Sequence, residues 1–479
     1  MFPSPVSSLG RKLVISWLAL ALGACSHTPP EVLAPPLPGL TETAPLFLPE
    51  PVCEEAPPPG KGTERDLEDL SRIPQRIEEL PALSGGGVAL AETCQQRLLD
   101  QFQREFYKPW TRMVPLLNPQ EAKSFMINEA KARWNGVNKR RVPHEFLQKL
   151  LDNCALDSFP SRNAAAIAVA PGHLRGLPTP QPLYNTWEDA PFDMLAFPQL
   201  KLNEPLRVLH ISRDGAWYFV ESASSSGWVE TRDVAFVDQA LIDEWIRTPK
   251  VVILRDDLAI ADGKGIATSR VKLGTILPIS GEGEGHWTLR IASAGEGGKA
   301  EIRSVQIAGD SAARFPLTFD NRTVAQVGDS LLGQPYGWGE LYDLRDCSAL
   351  LRDFFMPFGI WLPRTSGDQI ASTGHPVRFN HASAQARAEL IKAKGLPFLT
   401  LLYKPGHIML YVGVDKDGQP LVYHASWSIR VKDGNGGRTL VTGVSAITTL
   451  ELGKELGLVP GWSLLEKITE MGSVTDRCR

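Results

Sequence analysis

Near residue 166 the chain changes texture, and that change limits its fold more than any single motif. From about 63 to 160, apolar residues recur at helical spacing. In Ala91 to Tyr107, Leu98, Phe102 and Phe106 fall at i, i+4 and i+8, which is one helix face. Glu121 to Trp134 repeats the pattern. From about 166 to 310 the helical period is gone. Short apolar runs alternate with Gly, Asp and Ser: Leu206 to Ile211, the Asp214-Gly215 turn, Trp217 to Val220, then Gly227-Trp228-Val229. Closely spaced strands and tight turns suit small β-barrels. A weaker echo at Gly285-His286-Trp287-Thr288-Leu289 implies a second unit of the same kind. Beyond 313 the pattern is mixed: a helix around 322–332, a Gly/aromatic loop, a helix after residue 347, strands at 398–427 and a terminal helix near 462–471. The expected fold class is α+β and multidomain. A mainly helical segment (63–165) precedes two small β-barrels (166–240 and 245–312) and a mixed domain (313–475).

The 479 residues leave room for several domains, and a formal net charge of −4 implies no broad basic surface, so nucleic acid is not an expected partner. The chain starts as a targeting segment. Arg11 and Lys12 precede the apolar stretch Leu13 to Leu22, which is too short for a good membrane span. It runs into Leu22-Gly23-Ala24-Cys25. Small residues directly before a Cys resemble a bacterial lipoprotein cleavage site. The resemblance implies a signal peptide over 1–25 and a lipid on Cys25, which would anchor the chain without spanning the bilayer. Ser26 resembles the default signal for sorting to the outer membrane, so the expected location is the periplasmic side of that membrane. Residues 26–62 are rich in Pro, including Pro57-Pro58-Pro59, and read as an extended tether. Besides Cys25 there are Cys53, Cys94, Cys154, Cys347 and Cys478. An odd number in an oxidising compartment points to one free thiol, and the spacing leaves the pairing of the other four open.

The most informative segment runs from Arg345 to Phe355. Asp346 is a good helix N-cap, and apolar residues at 350, 351, 354 and 355 give one buried face. Cys347 therefore belongs in the first helical turn, where backbone N–H groups and the helix dipole favour a thiolate. The Tyr336-Gly337-Trp338-Gly339 loop before it supplies aromatic walls. Two strands follow, Gly406 to Gly413 and Pro420 to Trp427, with the turn signal Asp415-Lys416-Asp417-Gly418 between them. Pairing Val414 with Gln419 sets His407 opposite Ser426 and His424 opposite Met409. Both histidines then share a face as diagonal neighbours, about 7–8 Å apart in backbone terms. A slip of one residue would send one of them to the other face. A thiol, an imidazole that takes its proton and a third polar group that orients the imidazole make a nucleophilic triad. These residues give Cys347 as nucleophile, His407 as base and then acid, and His424 as orienting residue. The Cys347 backbone N–H contributes to an oxyanion hole. No Cys/His cluster has zinc-ligand spacing, so neither metal nor cofactor is expected.

Asp346-Cys347-Ser348, Leu362-Pro363-Arg364-Thr365-Ser366 with Gln369, and Pro405-Gly406-His407-Ile408-Met409-Leu410-Tyr411 together resemble the NlpC-like family of papain-fold cell-wall peptidases. The upstream runs resemble the bacterial SH3-like barrels that accompany such enzymes. The resemblance implies a papain-like domain over 313–475. It also implies a γ-D-glutamyl-L-diamino acid endopeptidase acting on peptidoglycan stem peptides with a free L-Ala amine. Asp346 would meet that amine, a carboxylate pairing with an ammonium. Trp338, Ser348, Arg364 and Ser366 would line the cleft. The first barrel would close one end of it, with Trp228 as candidate wall. Plainer roles stay open: Asp346 as N-cap only, Arg364 as structural ion-pair partner, Ser348 and Ser366 as backbone satisfiers. So do two other activities, a wall-binding lipoprotein with an inactive domain and an amidase or acyltransferase on the same triad. A monomer is expected.

Overall fold

The computed structural model describes residues 67–84, 87–261, 267–380, 382–433 and 436–478. The Cys25 site, the 26–62 tether and Cys53 lie outside them. Among the described residues no helix is long and apolar enough to cross a membrane, and no group of His, Cys, Asp or Glu could hold a metal ion.

The helical segment forms as its periodicity predicts. Glu92–Phe106 and Pro119–Lys131 are helices, the first burying Leu98 and Phe102. Phe102 lies 5.4 Å from Phe315 and 5.9 Å from Trp361, ring to ring, so this helix packs on the C-terminal domain. Cys94 on the same helix is disulfide-bonded to Cys478. Cys154 is a free thiol in the apolar core with Met126 and Trp134. The expectation of one free thiol is thereby corrected, because Cys154 and Cys347 are both unpaired.

The first barrel sheet comprises Ala164–Ala168 (β1), Gly172–Arg175 (β2), Ala196–Leu200 (β3), Pro205–Ile211 (β4), Trp217–Glu221 (β5), Ser226–Glu230 (β6) and Val234–Phe236 (β7). The second comprises Lys250–Ile253 (β8), Leu258–Ala261 (β9), Ala267–Val271 (β10), Ile276–Gly283 (β11), His286–Ala294 (β12), Ala300–Ala308 (β13) and Ala312–Arg314 (β14). The strand orders are β3-β2-β6-β5-β4-β1-β7 and β10-β9-β13-β12-β11-β8-β14. Counted from its own first strand, each sheet has the same order, so the echo in the sequence marks a true structural repeat. Trp217 begins β5, and Trp287 is the second residue of the equivalent strand β12.

The C-terminal domain is built on Val377–Arg378 (β15), Thr400–Lys404 (β16), His407–Val414 (β17), Pro420–Val431 (β18), Arg438–Thr449 (β19) and Glu470–Ser473 (β20), in the order β15-β20-β16-β17-β18-β19. The terminal helix expected at 462–471 is replaced by a short one, Leu464–Lys467, because Glu470 to Ser473 pair with β16 instead. The Cys347–Phe355 helix lays Leu350, Leu351, Phe354 and Phe355 into the core against this sheet, Phe354 meeting Tyr423 at 6.0 Å.

Ion pairs fix both barrels to this helix. Asp353 is wholly buried and accepts from Lys201 after β3 (3.1 Å), from Arg345 (2.8 Å) and from Arg352 (2.9 Å). Arg345 also grips Asp256 of the second barrel. Burial alone would raise the Asp353 carboxyl, but Lys201, Arg352 and Arg345 outweigh it and hold the group well below the usual range.

Candidate active site

Asp346 caps the Cys347–Phe355 helix as expected: its Oδ1 accepts from the Ala349 N–H at 2.9 Å, and its carbonyl accepts from the Leu350 N–H. Cys347 is the first helical residue and is buried, with its thiol against the Ile408 N–H of β17. His407, the first residue of the same strand, directly precedes Ile408.

The register of the histidine hairpin differs at its tip and agrees at the site. Val414 pairs with Pro420, not with Gln419. An irregularity between Tyr411 and Gly413 then shifts the ladder by one, and Leu410 faces Tyr423. The same offset would set Met409 opposite His424, the pairing that the sequence predicts. Gly413 sits at φ +113°, a backbone conformation open to glycine, and lets the strand absorb the extra residue. His407 Nε2 and His424 Nδ1 are 2.9 Å apart, and His424 Nε2 is 3.0 Å from Thr448 Oγ1.

The electrostatics correct one expectation. Burial, and then the Asp346 charge, push the Cys347 thiol up to about 11, although the Ile408 N–H, Arg364 and Lys404 pull the other way. Burial dominates because a thiolate loses more hydration than the first helical turn returns. His407 is held well below its ordinary value by burial, His424 and Lys404, and His424 falls to about 3 for want of solvent and because of Lys404. At neutral pH the resting site is therefore a neutral thiol beside neutral imidazoles.

Asp346 is heavily committed. Besides Ala349, it accepts from Arg364 on both oxygens (3.1 and 2.5 Å), from the Ser348 hydroxyl at 3.1 Å and from the Gly339 N–H at 3.3 Å. Five donors on a carboxylate with about four lone-pair sites leave little for a substrate ammonium. Arg364 also bonds the Ser348 hydroxyl and Glu340, so it acts as a structural clamp between loop, helix and 364-loop. Glu340 sits at φ +68° in the loop before the nucleophile, between Gly339 and Leu341, and Tyr342 and Asp343 are also left-handed. Arg352 and Arg364 hold this strained turn in place. Ser366 is half-buried at the start of the Ser366–Ala371 helix, and Gln369 donates to the Ser348 and Pro363 carbonyls.

Trp228 does not wall a cleft. It is wholly buried in the first barrel's core, ring-packed with Phe219 and His210. The ring that the first barrel does send forward is Phe192, from the loop between β2 and β3. It stands edge-on to Trp338 at 5.1 Å and to Trp427 at 4.9 Å, where Tyr336 joins the cluster. Sequence reasoning missed Phe192 and Thr448, since neither lies at a periodic position that marks a site.

Residues 333–437 match the model of the NlpC/P60 family, a span that holds Cys347, His407 and His424. The chain thus carries an NlpC/P60 domain. Residues 14–159 match the NLPC_P60 stabilising domain, N term, and 182–230 match an SH3 domain of the SH3b1 type. An NlpC/P60 endopeptidase from Photobacterium damselae subsp. piscicida shares the fold at a TM-score of 0.76 and 23% identity, over 84% of this chain and 97% of that one. An NlpC/P60 family protein from Bacillus cereus is 15% identical over 65% of this chain and all of its own, with a TM-score of 0.44. No curated protein matches the chain. The family assigns a cysteine peptidase in general terms, and this chain's helix-start thiol and paired imidazoles are the groups such chemistry needs.

Proposed function

We propose that this protein hydrolyses the γ-D-glutamyl-L-diamino acid bond of peptidoglycan stem peptides, with Cys347 as nucleophile, His407 as base then acid, and His424 as orienting residue. Two observations support the reading: the Cys347 thiol lies against the N–H of Ile408, the residue after His407, and His407 Nε2 lies 2.9 Å from His424 Nδ1.

The proton directions follow from the far end. Thr448 Oγ1 donates to the Thr449 carbonyl at 2.9 Å, so it must accept from His424 Nε2–H. His424 Nδ1 is then bare and accepts from His407 Nε2–H. That leaves the His407 Nδ1 lone pair as the base. Nδ1 takes the thiol proton as Sγ adds to the scissile carbonyl carbon, giving a tetrahedral oxyanion. Collapse breaks the C–N bond, and the imidazolium returns its proton to the departing amine. Water, deprotonated by His407, then hydrolyses the thioester. The Cys347 backbone N–H has no acceptor among the described residues and faces the oxyanion. The Tyr336 hydroxyl, near enough to feel the Cys347 and Asp346 charges, is the second donor.

The preference for a free L-Ala amine rests here on bulk: Phe192 against Trp338 and Trp427 blocks an extended N-terminal side. Trp338 and Ser366 line the cleft beside it. Cys25 carries the lipid that holds the enzyme at the periplasmic face of the outer membrane. The test is mass spectrometry of products from L-Ala-γ-D-Glu-diaminopimelate. Free L-Ala-D-Glu and diaminopimelate are expected from the wild type, and neither from Cys347→Ala. Release of a different fragment would show an amidase, and no new amine a binding protein.

A further inference from the structure

Lys404 ends β16, and His407 begins β17 directly opposite it. Residues opposed on antiparallel strands project from one face, their Cβ atoms about 4.5–5.5 Å apart. Pro405 and Gly406, the latter at φ +81°, make the tight turn that locks this pairing. The lysine is thus fixed beside the base of the triad. It is half-buried, and burial lowers its ordinary value while the Cys347 charge draws it back up. Its charge is felt in turn at Cys347, His407 and His424.

Lys404 lacks a partner of its own. Arg345, Arg352 and Arg364, buried arginines around the site, are each held by two carboxylates. Lys272 is buried without a hydrogen-bond partner too, but it lies within reach of the Asp353 and Glu340 charges. The Lys404 ammonium makes no hydrogen bond or ion pair with any described residue. A partly desolvated cation without a counter-charge is unfavourable, and the site gains by supplying one. Asp346, the carboxylate next to Cys347 in the chain, is committed to Arg364 instead.

We propose that Lys404 binds a carboxylate of the substrate, the α-carboxylate that a γ-linked glutamyl residue leaves free on the acyl side of the scissile amide. The inference rests on the peptidase reading above and deepens it. In a γ-linkage the chain runs through the side chain, so the α-carboxylate stays ionised three carbons from the reacting carbonyl. An α-linked residue other than glutamate has no anion at that separation, and an α-amidated stem has a neutral carboxamide. Lys404 would stay protonated throughout and act by ion pairing alone, selecting the free carboxylate and steering the scissile carbonyl toward Cys347.

Two substrates test this with the full-length enzyme: L-Ala-γ-D-Glu-diaminopimelate and the same peptide with the glutamyl α-carboxyl amidated. Wild type is expected to favour the carboxylate in kcat/KM on the order of tenfold or more, the usual weight of a charged hydrogen bond. In Lys404→Met that ratio falls toward one, and Lys404→Arg restores it. Equal losses on both substrates, with the pH profile displaced, would assign Lys404 to the thiol and overturn the proposal. So would an unaltered ratio. Calorimetry in the Cys347→Ala background separates this from the activity itself. Binding that favours the carboxylate, and no longer does so in Cys347→Ala/Lys404→Met, supports the subsite even if wild type cleaves neither peptide. Equal binding of the two peptides sinks it.

Discussion

His424 Nε2 lies 3.0 Å from Thr448 Oγ1, and the hydroxyl proton is committed to the Thr449 carbonyl at 2.9 Å. One hydroxyl thereby sets the tautomers of two imidazoles. Thr449 is itself pinned from the helical segment, since Asp69 Oδ2 accepts from both its N–H and its hydroxyl at 2.8 Å. The N-terminal segment therefore stabilises the strand that orients the triad.

Thr448→Val removes the acceptor while keeping the volume. His424 can then carry its proton on Nδ1, which cannot accept from His407. We expect kcat to fall on the order of ten- to a hundredfold with KM little altered, a share of the 10²–10⁴ that general base catalysis contributes. Thr448→Ser should recover most of it. Nitrogen NMR of the ring tautomers reads the same event without turnover. Full activity in the valine variant would remove Thr448 from the relay.

The resting thiol sets a pH signature. With Cys347 raised to about 11, alkylation by iodoacetamide should be slow at pH 7 and quicken as the pH approaches 11. Turnover depends on neutral His407 instead. Its ordinary value is lowered, so kcat should hold from pH 7 upward and fall only on acidification below about 6.5. Stability follows the same sign. His424, at about 3 when folded and about 6.5 when unfolded, stabilises the fold fully above the unfolded value. That contribution drains away as the pH falls from there toward 3. Urea unfolding at pH 7 and pH 4.5 checks it, and equal midpoints would contradict a buried neutral His424.

The positions of the three residues proposed as a triad were legible in the sequence because local rules mark each place: a helix N-cap before Cys347, and strands for His407 and His424. The hairpin register came out right at the site only because two departures cancel, a tip pairing one residue off and an irregularity near Gly413. The raised thiol was not legible, since helix position shows in the sequence and burial does not. Trp228 and Phe192 show the same limit. Strand alternation says that Trp228 faces inward, but not that the inward side is the barrel's own core. Phe192 lies in a loop, and what it touches is decided by docking of the barrel on the 338-loop and Trp427. Lys404 was within reach, because a Lys-Pro-Gly-His turn places its ends opposite each other.

Asp353 joins the first barrel, the 345-loop and the nucleophile helix through Lys201, Arg345 and Arg352. Asp353→Ala would leave these cations facing one another in a buried site. Breaking a buried pair by removing one partner costs roughly 3–5 kcal/mol, and here the carboxylate is shared three ways. We expect the urea midpoint to drop accordingly. Lys201→Met, which removes one cation and keeps the others paired, should cost less. A loss under about 1 kcal/mol for Asp353→Ala would show that water relieves the network.

Phe192 gives the most direct test of how the first barrel governs access. Its ring meets Trp338 and Trp427 edge-on, between the nucleophile loop and the strand of His424, where the proposed cleft would end. Each such aromatic contact is worth about 0.5–1.5 kcal/mol, so Phe192→Ala should unfold at only slightly lower urea. The larger effect is expected in selectivity. Wild type should discriminate against stem peptides whose L-Ala nitrogen is acylated, and the alanine variant should cleave them with kcat/KM much nearer that of the free amine. Competition between the two peptides in one reaction, followed by mass spectrometry, measures the ratio directly. If both variants discriminate alike, the amine is recognised by a charge and not by this wall, and Asp346 returns as its partner despite its five donors.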